Sequence, residues 1–209
     1  MTVVSIHVGM PQTQTRKAGS FVTGGAKASV STAVLRFPGF EGDGVANHQY
    51  HGGVDRTACV YPAEHYRWWK DAHGYTLLPG AFSENLTVEG ALESEICIGD
   101  LIQIGDAMAQ VTLPRDPCGT IDRITEIPSL HQQARDAGRC GFHMRTIREG
   151  VLKVGDAFQI VERNGKGVTV AMALDLYHGR STDAALVRLL REMPEFAAEG
   201  KRELARRIG

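Results

Sequence analysis

The alternation of apolar and polar positions is clearest at the start of the chain, where Thr2–Val8 is a β-branched run of period two and predicts a first strand. Residues 9–27 then turn polar and glycine-rich, with Arg16, Lys17 and Lys27 as their cations, and read as a long loop. A loop of that length inside a folded domain is either functional or disordered. Ser31–Phe37 predicts a second strand, closed by Pro38-Gly39, and Thr57–Tyr61 a third. Pro62 suits a first helical position and opens a helix over Ala63–His73, with Gly74 as its stop. After the loop Pro79–Thr87 the chain returns to strand. Glu95–Ile104 alternates, with a break at Gly99-Asp100, and Ala107–Leu113 and Ala157–Glu162 read as further strands. Ile121–Ala137 is helical in period, interrupted at Pro128, restarted with Ser129 as N-cap and stopped at Gly138.

Beyond Asn164-Gly165-Lys166-Gly167 the period changes. Val170, Ala173, Leu174 and Tyr177 lie on one helical face behind Thr169 as cap. Leu186, Leu189, Leu190 and Met193 repeat the pattern behind Ser181–Asp183, and Leu204 and Ile208 continue it. Helices this short do not stand alone, so they are expected to bundle and lean on the strands. The fold class is therefore mainly β, residues 1–163, followed by a small three-helix C-terminal unit, residues 168–209. A chain ending at Arg163 is expected to close its own core.

Composition narrows the function. The 209 residues are 43% hydrophobic and 22% charged, with a formal net charge of −1. There is no basic field to attract nucleic acid and no apolar run of membrane-spanning length. Cys59, Cys97, Cys118 and Cys140 form no C-x-x-C pair and no disulfide-scaffold spacing, which points to a reducing cytoplasm.

The chemistry concentrates in Leu113-Pro114-Arg115-Asp116-Pro117-Cys118-Gly119. Each proline fixes φ, removes a backbone donor and biases its predecessor toward extended backbone. A stiff loop presenting Cys118 beside the Arg115 guanidinium favours the thiolate, the form that attacks electrophiles and binds soft metals. A second polar cluster, His48, His51, Gly52, Gly53, Asp55 and Arg56, precedes the third strand. Zinc, an anion held by glycine-exposed N–H groups, and a plain tight turn are all compatible with it. Glu84-Asn85 offers acceptors and donors where the chain rejoins the sheet, and Arg139, His143 and Arg145 surround paired glycines. Cys59 and Cys97 sit in apolar runs and read as packing residues. Cys140, between Arg139 and Gly141, reads as exposed and non-catalytic.

His51-Gly52-Gly53-Val54-Asp55, Glu84-Asn85-Leu86, Ile98-Gly99-Asp100 and Pro114-Arg115-Asp116-Pro117-Cys118 together resemble a MOSC domain, the family named after the C-terminal domain of molybdenum-cofactor sulfurase. Order and spacing match over about residues 1–163, and the helical appendage resembles the stand-alone YiiM-like branch. The resemblance implies a β-barrel-like fold and a bound molybdenum–pterin cofactor, with Cys118 as catalytic cysteine and molybdenum ligand. It implies cofactor contacts for Lys27, His51, Asp55, Asn85, Arg115 and Arg145. It further implies reduction of small N-hydroxylated compounds such as hydroxylaminopurine-type base analogues, in a detoxifying role. Electrons would come from a separate reductase, and neither nucleic acid nor a membrane is expected as partner; the state expected is a homodimer. Two departures stand out. Gly119-Thr120-Ile121 follows the cysteine where many relatives have an aromatic residue and Lys-Leu, and Ser83 stands where a glycine is usual before Glu-Asn. Two alternatives remain open: a sulfur or cofactor carrier using a Cys118 persulfide, and a binding or adaptor module using the basic face of the last helix, Lys201, Arg202, Arg206 and Arg207.

Overall fold

The computed structural model describes residues 1–49 and 51–208, apart from the side chains of Arg207 and Ile208. Arg207 of the expected basic face and Ile208 of the expected apolar stripe therefore lie outside the described side chains, as does Tyr50 of the histidine loop. In chain order the strands and helices are β1 (Thr2–Val8), β2 (Gln12–Arg16), β3 (Gly19–Thr23), β4 (Ala28–Val30), β5 (Thr32–Arg36), β6 (Gly39–Phe40), β7 (Ala58–Pro62), α1 (Glu64–His73), β8 (Leu86–Glu89), β9 (Leu101–Ile104), β10 (Ala107–Pro114), α2 (Thr120–Thr125), α3 (Leu130–Asp136), β11 (Phe142–Arg148), β12 (Gly150–Lys153), β13 (Phe158–Glu162), α4 (Val170–Tyr177), α5 (Ala184–Glu192) and α6 (Ala198–Ile208). No described helix is long and apolar enough to cross a membrane.

Eight strands form one sheet in the order β13-β9-β10-β11-β7-β8-β1-β4. Every pair is antiparallel except β7 and β8, which run parallel because α1 carries the chain back between them. The expected barrel is instead a large mixed sheet that no continuous ladder closes. Its seam is a single bridge, Thr2 opposite Ala157, flanked by Val3 N–H to Asp156 C=O (3.0 Å), Gly155 N–H to Val3 C=O (2.9 Å) and Phe158 N–H to Met1 C=O (3.0 Å). β12, β5 and β6 form a separate three-stranded sheet.

The structure departs from the sequence pattern at several points. Residues 12–23 are a β-hairpin, β2 against β3; β2 is polar on both faces and β3 has only Phe21 and Val22, on opposite faces, so neither shows the apolar alternation that announces a strand. The hairpin clasps α2: Lys17 N–H donates to Glu126 Oε1 (3.0 Å), and the Arg123 guanidinium lies 3.8 Å over the Phe21 ring. Pro62 ends β7 instead of opening α1. Only Leu101–Ile104 of the expected strand 95–104 is extended, and Ile96, Cys97 and Ile98 are all buried. Residues 142–148 form β11, hidden in the sequence by the polar side chains of His143, Arg145 and Arg148 on one face. Ser129 holds a left-handed φ of 58° and does not cap α3 with its side chain; Asp122 does so, its Oδ1 accepting from His131 N–H at 2.8 Å. Cys140 is fully buried, because Glu93 Oε1 pulls in the N–H groups of both Cys140 (3.0 Å) and Gly141 (2.7 Å).

α4–α6 share one apolar core with the sheet, in which Val168, Ala173, Leu174, Leu190, Phe196 and Leu204 join Ile96, Ile98 and Val111. Thr169 and Asp183 cap α4 and α5 as their positions suggest. Backbone bonds stitch the junction: Ile98 N–H to Val168 C=O (2.9 Å), Val170 N–H to Ile96 C=O (2.8 Å) and Ala197 N–H to Thr112 C=O (3.1 Å). Asp100, fully buried, gathers Cys97 N–H (2.9 Å), Asn164 N–H (2.9 Å) and Arg163 Nη1 (3.1 Å). The Ile98-Gly99-Asp100 motif is thus the hinge post of the helical unit. A Cβ on Gly99 would stand 2.4 Å from Asn164 Nδ2. The change in period at residue 163 marks a change of secondary structure within a single core. A chain ending at Arg163 is accordingly expected to aggregate, or to unfold at a clearly lower denaturant midpoint than the full chain. Equal midpoints in urea titrations would show that the helices contribute nothing to the sheet.

Candidate functional site

β10 ends at Pro114 and delivers the cysteine loop, whose three polar side chains diverge. Arg115, 8% exposed, turns inward: its N–H donates to Gly141 C=O (3.0 Å) and its Nη2 to the Phe82 carbonyl, while Nη1 is buried without a hydrogen-bond partner. Asp116 turns toward α3 and accepts from Arg135 Nε at 2.7 Å. Cys118 remains half-buried, with Sγ 3.9 Å from His51 Nε2. Burial alone would raise the Cys118 pKa, but hydrogen bonds from His51 and from the hydroxyl and amide of Thr120 outweigh it and hold the thiol at about 6. The hydrogen bonds that favour the thiolate thus come from His51 and Thr120, while the buried Arg115 guanidinium, as the sequence suggested, is also coupled electrostatically to Cys118. The other cysteines are treated oppositely: burial pushes the thiols of Cys59 and Cys140 up.

A second group of expected residues is assembled on the other side of the loops. Asp43 accepts from Lys27 Nζ, from Gly9 N–H (2.9 Å) and from Asn85 Nδ2 (2.8 Å). Asn85 also accepts from Cys59 N–H (3.1 Å) and donates to His7 C=O (3.2 Å). Glu84 is fully buried, and its Oε1 takes Tyr66 Oη (2.6 Å), Thr87 Oγ1 (2.7 Å) and Gly80 N–H (2.8 Å). Ser83 holds a φ of 60°, which explains why a glycine suits that position. A Cβ on Gly25 would lie 2.7 Å from Ser83 Oγ and 3.1 Å from Ile124 Cδ1, so the hairpin, α2 and this loop meet there without slack. The third group is Asp55 with Arg145, 3.3 Å apart, where Arg145 also donates to the Glu195 carbonyl. These two residues tie the histidine loop to the C-terminal unit, and their contacts are with each other instead of with Cys118.

Asp43 and Thr120 were not singled out from the sequence; Arg56 and His143 were, as members of its polar clusters. Asp43 holds Lys27; Thr120 donates to Cys118. Arg56 forms an ion pair with Glu199 at 2.8 Å. His143 projects from β11 with Nδ1 buried and without a hydrogen-bond partner. Its pKa is held well below the usual histidine range, by burial first and then by the positive charges of Arg56, Arg115 and His51. The signal for His143 was available: Phe142 and Met144 are core residues, so His143 and Arg145 had to face the other way.

The donor set fits an anion with a soft metal. Lys27, Arg56 and Arg115 supply positive charge and His51 an imidazole; Arg115 Nη1 and His143 Nδ1 are buried polar atoms without a hydrogen-bond partner among the described residues; Cys118 supplies a thiol whose pKa is lowered to about 6. Among the described residues no three His, Cys, Asp or Glu side chains gather into a metal cage, so His48 and His51 are not part of a zinc site of that kind.

Comparison with known proteins agrees with this geometry. The family model described as "MOSC domain" matches residues 47–159. The uncharacterized protein YflK of Bacillus subtilis is 36% identical over 193 residues, covering 91% of this chain and 87% of its own. A protein of Gibberella moniliformis named "Reductase" is 30% identical over 119 residues, 54% of this chain but 21% of its own length. The crystal structure of YiiM from Geobacillus stearothermophilus superposes with a TM-score of 0.82 at 28% identity, covering 100% of this chain and 99% of that one. A thiolate-bearing Pro-Arg-Asp-Pro-Cys loop on a sheet of this order, with the helical unit sharing its core, makes the chain a member of the MOSC domain family, in its stand-alone YiiM-like branch.

Proposed function

We propose that the chain is a molybdenum-cofactor-dependent oxidoreductase that reduces small N-hydroxylated compounds, hydroxylaminopurine-type base analogues among them, with Cys118 as the molybdenum ligand. The observation that carries this reading is the half-buried Cys118 thiol, held at about 6 by His51 and Thr120 in a loop whose neighbours are cationic. A thiolate at neutral pH is ready to bind a soft metal without first losing a proton. The similarity to a protein named as a reductase supports a redox role.

In this reading Lys27, His51 and Arg115 meet the anionic part of the cofactor, and Asn85 holds Asp43 and so keeps Lys27 in place. Arg115 is suited to it because its guanidinium has one nitrogen on the Phe82 carbonyl and the other unspent. Asp55 and Arg145 contribute by bracing the histidine loop against Glu195. The bound cofactor would supply the two-electron redox chemistry, and the protein its orientation and electrostatic surroundings. Electrons would reach it from a separate reductase, with the chain working in the cytoplasm. A carrier of sulfur on Cys118 is the second reading, favoured by the same thiolate–imidazole contact; cyanide-labile sulfur that depends on Cys118, without turnover, would select it.

Three outcomes are expected. In cofactor-free protein, alkylation of Cys118 should rise with pH and reach half its maximum near pH 6, because the thiolate is the reactive form and appears as pH climbs through the folded pKa. Replacing His51 with Ala should move that midpoint upward, as followed by intact-mass kinetics with iodoacetamide; an unmoved midpoint would remove His51 from the thiol's environment. Cys118→Ser should change folding stability by less than about 1 kcal/mol, since the site is half-buried, yet abolish molybdenum in the isolated protein and turnover with it. Full metal content and turnover in that variant would defeat the proposal. Arg115→Ala should lower pterin content and also cost roughly 1–3 kcal/mol of stability, because it strands the buried Phe82 carbonyl. Arg115→Lys should recover part of the stability and little of the cofactor, as read by pterin fluorescence beside a urea titration.

A further inference from the structure

Gly119 follows the cysteine directly, in the place where the family resemblance puts an aromatic residue. Among the described residues, a Cβ built on it would meet one heavy atom within 4 Å, His131 Cε1 at 3.9 Å. The His131 ring therefore flanks the Cys118–Gly119 step, and the missing side chain leaves room between them. That ring is fixed. Its Nδ1 lies 2.7 Å from Asp122 Oδ2, while its backbone N–H donates to Asp122 Oδ1 at 2.8 Å. An ionised carboxylate only accepts, so Nδ1 carries the proton of that bond, and Nε2 is the nitrogen left for chemistry. A carboxylate behind an imidazole is the arrangement by which proteins aim a histidine at a reacting group. The ring is 26% exposed, enough to exchange protons with solvent.

We propose that His131 Nε2 opens onto the Cys118 pocket and delivers a proton to the substrate bound there, with Asp122 as the positioning residue and Gly119 as the opening between them. The inference rests on the functional reading above. Reduction of R–NHOH to R–NH2 and water consumes two electrons and two protons: the N–O bond breaks, and one N–H and one O–H bond form. The electrons come through the molybdenum cofactor from the separate reductase. A proton placed on the departing oxygen lets it leave as water instead of hydroxide, and His131 Nε2–H supplies it and is recharged from solvent, while the proton for the new N–H bond is taken from solvent water. The other histidines near the thiol are less suited: His51 is engaged with Cys118, and His143 is held neutral by burial and by its cationic neighbours.

Asp122 also caps α3, so changing it would mix folding with chemistry; His131→Gln leaves that cap in place. The first measurement needs neither cofactor nor substrate. Cofactor-free protein is treated with diethyl pyrocarbonate before and after Cys118 is blocked with a bulky maleimide, and modification is located by peptide mass spectrometry. Blocking Cys118 should slow modification of His131 several-fold and leave exposed His73 unaffected. An unchanged His131 rate overturns the placement. The second uses enzyme loaded with molybdenum cofactor. His131→Gln should lower kcat by about 100-fold, in line with loss of a general acid, with KM and the content of molybdenum and pterin unchanged. Undiminished kcat in an enzyme that is active as wild type overturns the proposal alone. Loaded wild-type enzyme that reduces no N-hydroxylated compound overturns the functional reading, and proton delivery with it.

Discussion

Asn85 is where three strands and the cation cluster are held together. Its backbone N–H donates to Cys59 C=O (2.9 Å) and its C=O accepts from His7 N–H (2.7 Å), while its carboxamide repeats both connections and adds Asp43. β7, β8 and β1 are thereby locked at the one place in the large sheet where a parallel pair interrupts the antiparallel order. Only a side chain with an acceptor and two donors on one planar group can do this; an aspartate would place an acceptor against the His7 carbonyl and the Asp43 carboxylate. Lys27 is positioned as a consequence, through Asp43.

The same economy governs the charges beneath the site. Glu84 and Arg115 are both buried; Glu84 is held by backbone and side-chain donors and Arg115 by backbone carbonyls before either meets any ligand. Because those bonds fix their positions, the unspent valences, Arg115 Nη1 and His143 Nδ1, point from a rigid floor. Donors that are already oriented bind an anion without first ordering flexible side chains. The thiol follows the opposite rule from its sisters for a local reason. Cys118 has an imidazole and a hydroxyl within reach, whereas Cys140 has the carboxylate of Glu93 bonded to its own amide.

How much of this was legible in the sequence depended on whether one face of an element was apolar. β1, β10, α1 and the three C-terminal helices were readable because their inward faces are apolar at the right period. The β2–β3 hairpin was not, since its stability comes from pairing with itself and from contacts to α2 instead of from a core face. β11 escaped because its outward residues are polar side chains, which look like a loop when read in a row. Cys118, Lys27, His51 and Asn85 could be picked out from local motifs. Asp43 was not assigned a role because it acts through Lys27 and Asn85, which lie well apart from it along the chain, and Thr120 because only the turn of the loop brings its hydroxyl onto Cys118. Adjacency in sequence put the Arg115 charge within electrostatic reach of the thiol but did not show its hydrogen bonds, because the prolines on either side turn consecutive side chains in different directions.

The seam between Met1–Val3 and Gly155–Phe158 sets the order in which the molecule can form. During synthesis β1 meets its neighbour β8 only after β2–β7 and α1 have followed it, and it cannot complete the seam until Phe158 has emerged as well. Contacts of such long sequence separation close slowly, because the chain loses loop entropy before the pairing repays it. Until then β1 carries an unpaired, apolar-faced edge of the kind that aggregates. The N-terminal strand is thus the piece of this fold most dependent on the rate of synthesis and on chaperone cover, although in the finished molecule it lies beside the residues that hold Lys27.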